Sequence, residues 1–206
     1  MMTIPRLSPL LVSGVLVLGL SGQTARPHAY SVTEIYYALT APVNWSIYRD
    51  GSKVLVDRQN TPEQTRKYHI RLLYDLPTHT QVFWDVDNPA NCNTAPFQDD
   101  ELERGDPFGT EVSVFQRAAK EIGAETIHGV ATKIYQEASP NRTVTMWIDP
   151  KWGAARKVQA TLDGKIQTTL EVLKLSVGKP PAESFVIPAA CAAALKAEPA
   201  KPAAKQ

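Results

Sequence analysis

The run from Thr143 to Val172, TVTMWIDPKWGAARKVQATLDGKIQTTLEV, limits what this chain can become. Val144, Met146 and Ile148 alternate with polar residues and stop at Asp149-Pro150, with Trp147 and Trp152 on either side of the stop. Asp163-Gly164 marks a second turn soon after. Runs this short and alternating are strands, and isolated pairs of strands are marginal in water, so they must belong to a larger sheet.

The same grammar recurs upstream. Trp45–Arg58 is two runs around Asp50-Gly51, a strong hairpin signal. Lys67–Leu76 sets Tyr68, Ile70, Leu72 and Tyr74 on one face, and Thr80–Asp87 alternates Val82, Trp84 and Val86 after the turn Pro77-Thr78-His79. Ser31–Leu39 fits a short helix or a strand. Asn88–Gly109 is polar, proline-bearing and predicted irregular. Thr110–Gly123 reads as a helix at its start and a strand at its end, and Val130–Ala138 as a strand after His128-Gly129. In LEVLKLSV the apolar phase slips between Val172 and Leu173, which requires a bulge or burial on both faces. Phe185 and Ile187 read as plugs at the end of a last strand that Cys191 closes. The fold class is therefore mainly β (α+β), an antiparallel sheet with one to three short helices.

The two ends read differently from the body. Arg6 is the only charge before Arg26, and Leu10–Leu20 is a short apolar run. This describes an export signal over residues 1–25, cleaved after Ala25; the run is short of the roughly 20 residues that a membrane-spanning anchor needs. No cysteine follows the run to take a lipid. Residues 192–206 form an Ala/Lys/Pro-rich tail with little to bury. The folded domain is then 26–191, in the periplasm or secreted.

Charge narrows the partners. The chain has 22 basic and 21 acidic residues, and the body without signal and tail sits near −2. With no basic stripe, nucleic acid is not an expected partner. Cys92 and Cys191, an even count in an exported chain, favour a disulfide; two thiols held apart by the fold is the other reading.

One stretch resembles a known family. KEIGAETIHGVATKIYQEA carries Gly123, Glu125, Ile127, Gly129 and Tyr135; the turn carries Trp147, Ile148, Asp149, Pro150, Gly153 and Lys157; SFVIP carries Phe185, Ile187 and Pro188. This pattern, over about Ala118–Pro188, resembles the LolA-like superfamily of periplasmic lipoprotein carriers, in an uncharacterised bacterial branch. The resemblance implies a strongly curved antiparallel sheet, an unclosed barrel with helices across its mouth and an apolar concave face able to hold acyl chains. The pocket arginine of the sorting factor itself has no match here.

Reactive chemistry finds little purchase. His69, His79 and His128 fall on different elements without metal-ligand spacing. Asp85 and Asp87 suggest a calcium loop that Pro89 breaks. Neither a nucleophile elbow nor a phosphate-cradling glycine loop occurs, and no cofactor is implied. The expected function is non-enzymatic binding of a lipid or acylated chain in a half-barrel, with Trp45, Ile47, Ile70, Leu72, Trp84, Val144, Met146 and Ile148 as candidate cavity lining. Patterning alone leaves open whether those residues line a cavity or fill a core. The alternative is an envelope protein-protein module using the sheet edge or the tail.

The signal yields a direct test. Mass spectrometry of the exported protein should place the mature N-terminus between Gly22 and Tyr30, and an intact Met1 would refute it.

Overall fold

The protein, seen in a computed structural model, is described over residues 26–37, 42–61, 67–98, 102 and 105–197. The signal and residues 198–206 lie outside the described residues, so those expectations are not addressed by the structure. Eleven strands form one antiparallel sheet: β1 (Ala29–Tyr37), β2 (Pro42–Asp50), β3 (Lys53–Asn60), β4 (His69–Asp75), β5 (Thr80–Asp85), β6 (Cys92–Pro96), β7 (Lys120–Ile127), β8 (Val130–Ser139), β9 (Arg142–Asp149), β10 (Ala154–Leu162) and β11 (Lys165–Val177). Among the described residues, two short helices, α1 (Thr110–Ala118) and α2 (Ala189–Ala197), and a 3₁₀ turn at Ala182–Phe185 accompany it.

The strand order is β6-β5-β4-β3-β2-β1-β11-β10-β9-β8-β7. Two hairpin meanders therefore meet where β1 pairs with β11, and the sheet does not close, leaving β6 and β7 as its edges. Because consecutive β6 and β7 lie at opposite edges, their connection must cross the sheet. That connection holds Phe97, Phe108, Val112 and Phe115, and these residues pack into the main core cluster on one face. The crossing chain is the lid of the core.

Most of the strand expectations are met, one left open is settled, and three details differ. Of the stretch Ser31–Leu39, the described residues 31–37 lie in strand β1, with Tyr30, Val32, Glu34 and Tyr36 alternating inward. The stretch predicted irregular contains a five-residue strand, β6, paired with β5. Cys191 lies on helix α2 and does not close a strand; Pro188 starts that helix by accepting the Ala192 amide, and the alanines that follow favour it. The same helix carries regular structure past residue 191, with Leu195 packed on the second cluster. The predicted phase slip is a bulge: Thr33 pairs with Lys174 and Glu34 with Val172, so Leu173 is extruded and stands 43% exposed.

The Asp149-Pro150 corner shows why its motif is a fold signature. The Asp149 carbonyl accepts the Gly153 amide at 2.8 Å, and Gly153 takes a φ of 65°, which a side chain would resist. One carboxylate oxygen of Asp149 accepts the Lys151 amide at 2.9 Å, and the other accepts Arg156 Nη2 at 2.7 Å. Arg156 occupies a bulge between Ala155 and Lys157, and both partners are buried. Two residues upstream of Asp149 on the same strand, Trp147 donates to Glu125 at 2.6 Å and lies under Lys157.

This pair predicts a clear energetic asymmetry. Asp149→Ala leaves a buried guanidinium alone and should cost about 3–5 kcal/mol, read as a lower urea midpoint. The double change Asp149→Leu, Arg156→Met should recover most of that loss. Equal losses in both variants would mean that the ion pair is not what holds the corner.

Candidate functional site

The main cluster lies on the concave face and includes Tyr30, Val32, Trp45, Ile47, Val56, Tyr74, Met146, Ile148, Leu170 and Val172. Of the proposed lining, Trp45, Ile47, Met146 and Ile148 are buried there, and Leu72 and Val144 pack against it. Ile70 shares that face, since it pairs with Arg58, which in turn pairs with Trp45. Trp84 does not. The four-residue turn Leu76–His79 pairs Asp75 with Thr80, so Leu72 meets Phe83 and Trp84 meets Arg71. With a side-chain period of two, Trp84 must project from the other face. There it forms a small second cluster with Leu55 and Cys191.

The concave face is mostly filled. Ile148 is 0% exposed and Ile47 2%. Among the described residues, a cleft of about 160 Å³ opens beside the start of α1. Its walls are Tyr36, Met146, Ala155, Val158, Thr169 and Leu170 from the sheet, with Gly105–Pro107, Gly109, Glu111 and Val112 from the crossing chain. A larger polar hollow of about 310 Å³ lies by Asn44, Gln59, Asn60 and His69.

The segment Gly105–Gly109 forms a strap that bounds the cleft, and a polar cluster seats it. Tyr30 donates its hydroxyl to Asp106 Oδ2 at 2.5 Å, and Arg26 binds the same oxygen. Asp106 Oδ1 accepts the Phe108 amide at 2.8 Å. Pro107 accepts the Ala155 amide at 2.9 Å, and Phe108 packs on the Tyr30 ring with centroids 4.7 Å apart. Gly105 has φ 83°, and a Cβ there would lie 2.6 Å from Cζ3 of Trp45. Only glycine lets the strap come down this far.

Beneath Gly105 lies Glu34, 0% exposed, with neither carboxylate oxygen hydrogen-bonded. Burial first, and the Asp106 charge second, hold its carboxyl well above the usual value of 4.5. Burial, then Asp106, likewise raises the Tyr30 hydroxyl. Neither Glu34 nor Gly105 belongs to a motif read from the sequence. One signal was present: Glu34 sits in the inward phase of a strand between Val32 and Tyr36, where an acid conflicts with the pattern.

The histidines are used locally. His69 bonds Asp57 at 2.7 Å, beside Arg71 on the same carboxylate, and His128 bonds Glu171 at 2.8 Å. Among the described residues no group of three His, Cys, Asp or Glu is placed to hold a metal. The two cysteines expected to pair are brought together as free thiols, Cys92 Sγ lying 3.3 Å from the Cys191 carbonyl oxygen.

Two solved structures share this architecture. The crystal structure of MucB superposes with a TM-score of 0.52 at 13% identity, covering 82% of this chain and 60% of that one. The complex of Pseudomonas aeruginosa MucA and MucB gives 0.50 at 12% identity, covering 79% and 56%. The chain thus spans little more than half the length of the protein it resembles, and at such identity the likeness is one of fold. No protein-family model and no curated protein matches the sequence.

The stranded acid makes a prediction about pH. The folded state keeps a proton on Glu34 that the unfolded chain loses near pH 4.5, so this term is fully present below that pH. It is lost as pH rises toward the elevated folded value. Glu34→Gln, which cannot ionise, should therefore show a shallower fall in urea midpoint from pH 5 to pH 9 than the parent. Parallel pH profiles would show that Glu34 is solvated and unperturbed.

Proposed function

We propose that this protein is an exported, non-enzymatic binding module for another envelope protein, which anchors one apolar group in the cleft between the strap, α1 and strands β9–β11. The cleft carries the reading. It is apolar on its sheet side through Met146, Val158 and Leu170, and its volume is about 160 Å³. Drug-sized ligands occupy roughly 300 Å³ or more, so this cleft suits a side chain presented by a larger partner. The MucA and MucB complex, in a protein of like fold, supports a protein as that partner.

Strand addition at a sheet edge is the less favoured geometry. β6 is five residues long and ends in Pro96, and α2 lies against it. β7 is bulged between Glu121 and Gly123 and carries Lys120 and Glu121. Short length, proline, bulges and charge all discourage edge pairing.

A lipid or acylated chain is the second reading, favoured by the same apolar wall and by the family resemblance. With most of the concave face filled, the cleft would hold the end of such a chain and little more.

Val158 is half-buried and lines the cleft, so Val158→Trp should fill it at a cost of no more than about 1–3 kcal/mol. Native mass spectrometry of gently purified parent should show a bound polypeptide that the variant lacks at unchanged fold. A lipid adduct lost in the same way would favour the second reading. A polypeptide retained equally by both proteins would remove the cleft from the account.

A further inference from the structure

Helix α2 depends on little. It has nine residues, AACAAALKA, six of them alanine, and helices this short are marginal unless tertiary contacts hold them. Its inward side rests on the second cluster, where Cys191 is 0% exposed beside Leu55 and Trp84. Leu195, Phe185 and Ile187 are only partly buried there. Alanine side chains have little apolar surface to bury, so this anchor is thin for a helix that covers a sheet edge.

Cys92 sits on the same contact from the sheet side. It belongs to edge strand β6, pairs across with Trp84, and places its sulfur 3.3 Å from the Cys191 carbonyl oxygen. The two cysteines are 99 positions apart in sequence, and β6 is the strand that α2 contacts. Burial, and then the neighbouring Cys92 thiol, push the Cys191 thiol up to about 12. Cys92, half-buried, is the more accessible sulfur.

We propose that Cys92 and Cys191 close into a disulfide that clamps α2 onto the β5–β6 end of the sheet. The oxidant is a small-molecule or protein disulfide, RSSR. Cys92 as thiolate attacks one sulfur of RSSR, forming a mixed disulfide and releasing RS⁻. Cys191 then gives up its proton and its sulfur attacks Cys92 Sγ, releasing the second RS⁻. The protein loses two hydrogens, RSSR is reduced to two RSH, and one S–S bond forms. The order follows from accessibility: the half-buried Cys92 thiol meets the oxidant and the buried Cys191 resolves it. The clamp secures the β6 edge from outside, on the face opposite the cleft, so it stands independently of the binding reading.

The full purified chain, equilibrated with either oxidised glutathione or excess dithiothreitol, tests this. After oxidised glutathione, denatured protein should take no maleimide, run as a monomer without reductant and weigh two hydrogens less. After dithiothreitol it should take two maleimides and melt roughly 5–15 °C lower, and amides of Ala189–Ala197 should exchange faster while those of β9 and β10 do not. Cys92→Ser should melt like the reduced parent under both conditions. Two reactive thiols after oxidised glutathione, a persistent glutathione adduct or disulfide-linked dimers would overturn the bond. A bond that forms without changing the melting temperature or the exchange of α2 would overturn the clamp.

Discussion

Everything on the concave side depends on how the Gly105–Gly109 strap is seated. A single curved sheet of eleven strands cannot bury its own inner face, and that face needs a cover. Topology supplies one, because the chain leaves one edge at β6 and must re-enter at the other as β7. The strap is pinned at four points: Tyr30 and Arg26 on Asp106, the Ala155 amide on Pro107, and the Tyr30 ring against Phe108. The pins come from β1, from Arg26 just before it, and from the start of β10. Trp45, Ile148 and Val172 are consequently core residues and not an exposed groove.

The seat also contains a conflict. Glu34 is sealed under Gly105 without a hydrogen-bond partner, close enough to Asp106 to feel its charge. A leucine there would bury the same volume without the desolvation cost. Local conflicts of this kind concentrate where a fold does more than hold itself together, and this one adjoins the cleft through Gly105 and Asp106. Cleft and conflict share one structural element.

The two ends of the sheet are managed by different means. At the β6 end the convex face carries the Trp84 cluster, which the turn at Ala182–Phe185 and helix α2 cover. At the β7 end nothing described lies over the edge, and a bulge and charged residues take that role. This asymmetry puts the cysteines where a covalent tie would matter most, under the weaker of the two helices.

The sequence alone specified most of the strands, their turns and an antiparallel sheet. Alternation and turn residues act over a few positions, so Asp50-Gly51, Asp163-Gly164 and the slip at Leu173 could be read directly. The resemblance over Ala118–Pro188 implied an unclosed barrel with helices across its mouth; the sheet is unclosed and α1 packs on its inner face, whereas α2 lies on the convex side. Which face each strand turns inward was decided only in three dimensions. Trp84 shows why: its own alternation is regular, yet the length of one turn sent it to the opposite side from Leu72. Cavity against core was also invisible, since the same apolar pattern serves both until the crossing chain is placed. Glu34, Gly105 and Asp106 come from distant parts of the chain with no shared motif. Their meaning exists only where the strap touches β1, because burial and an unsatisfied carboxyl are properties of the packed molecule.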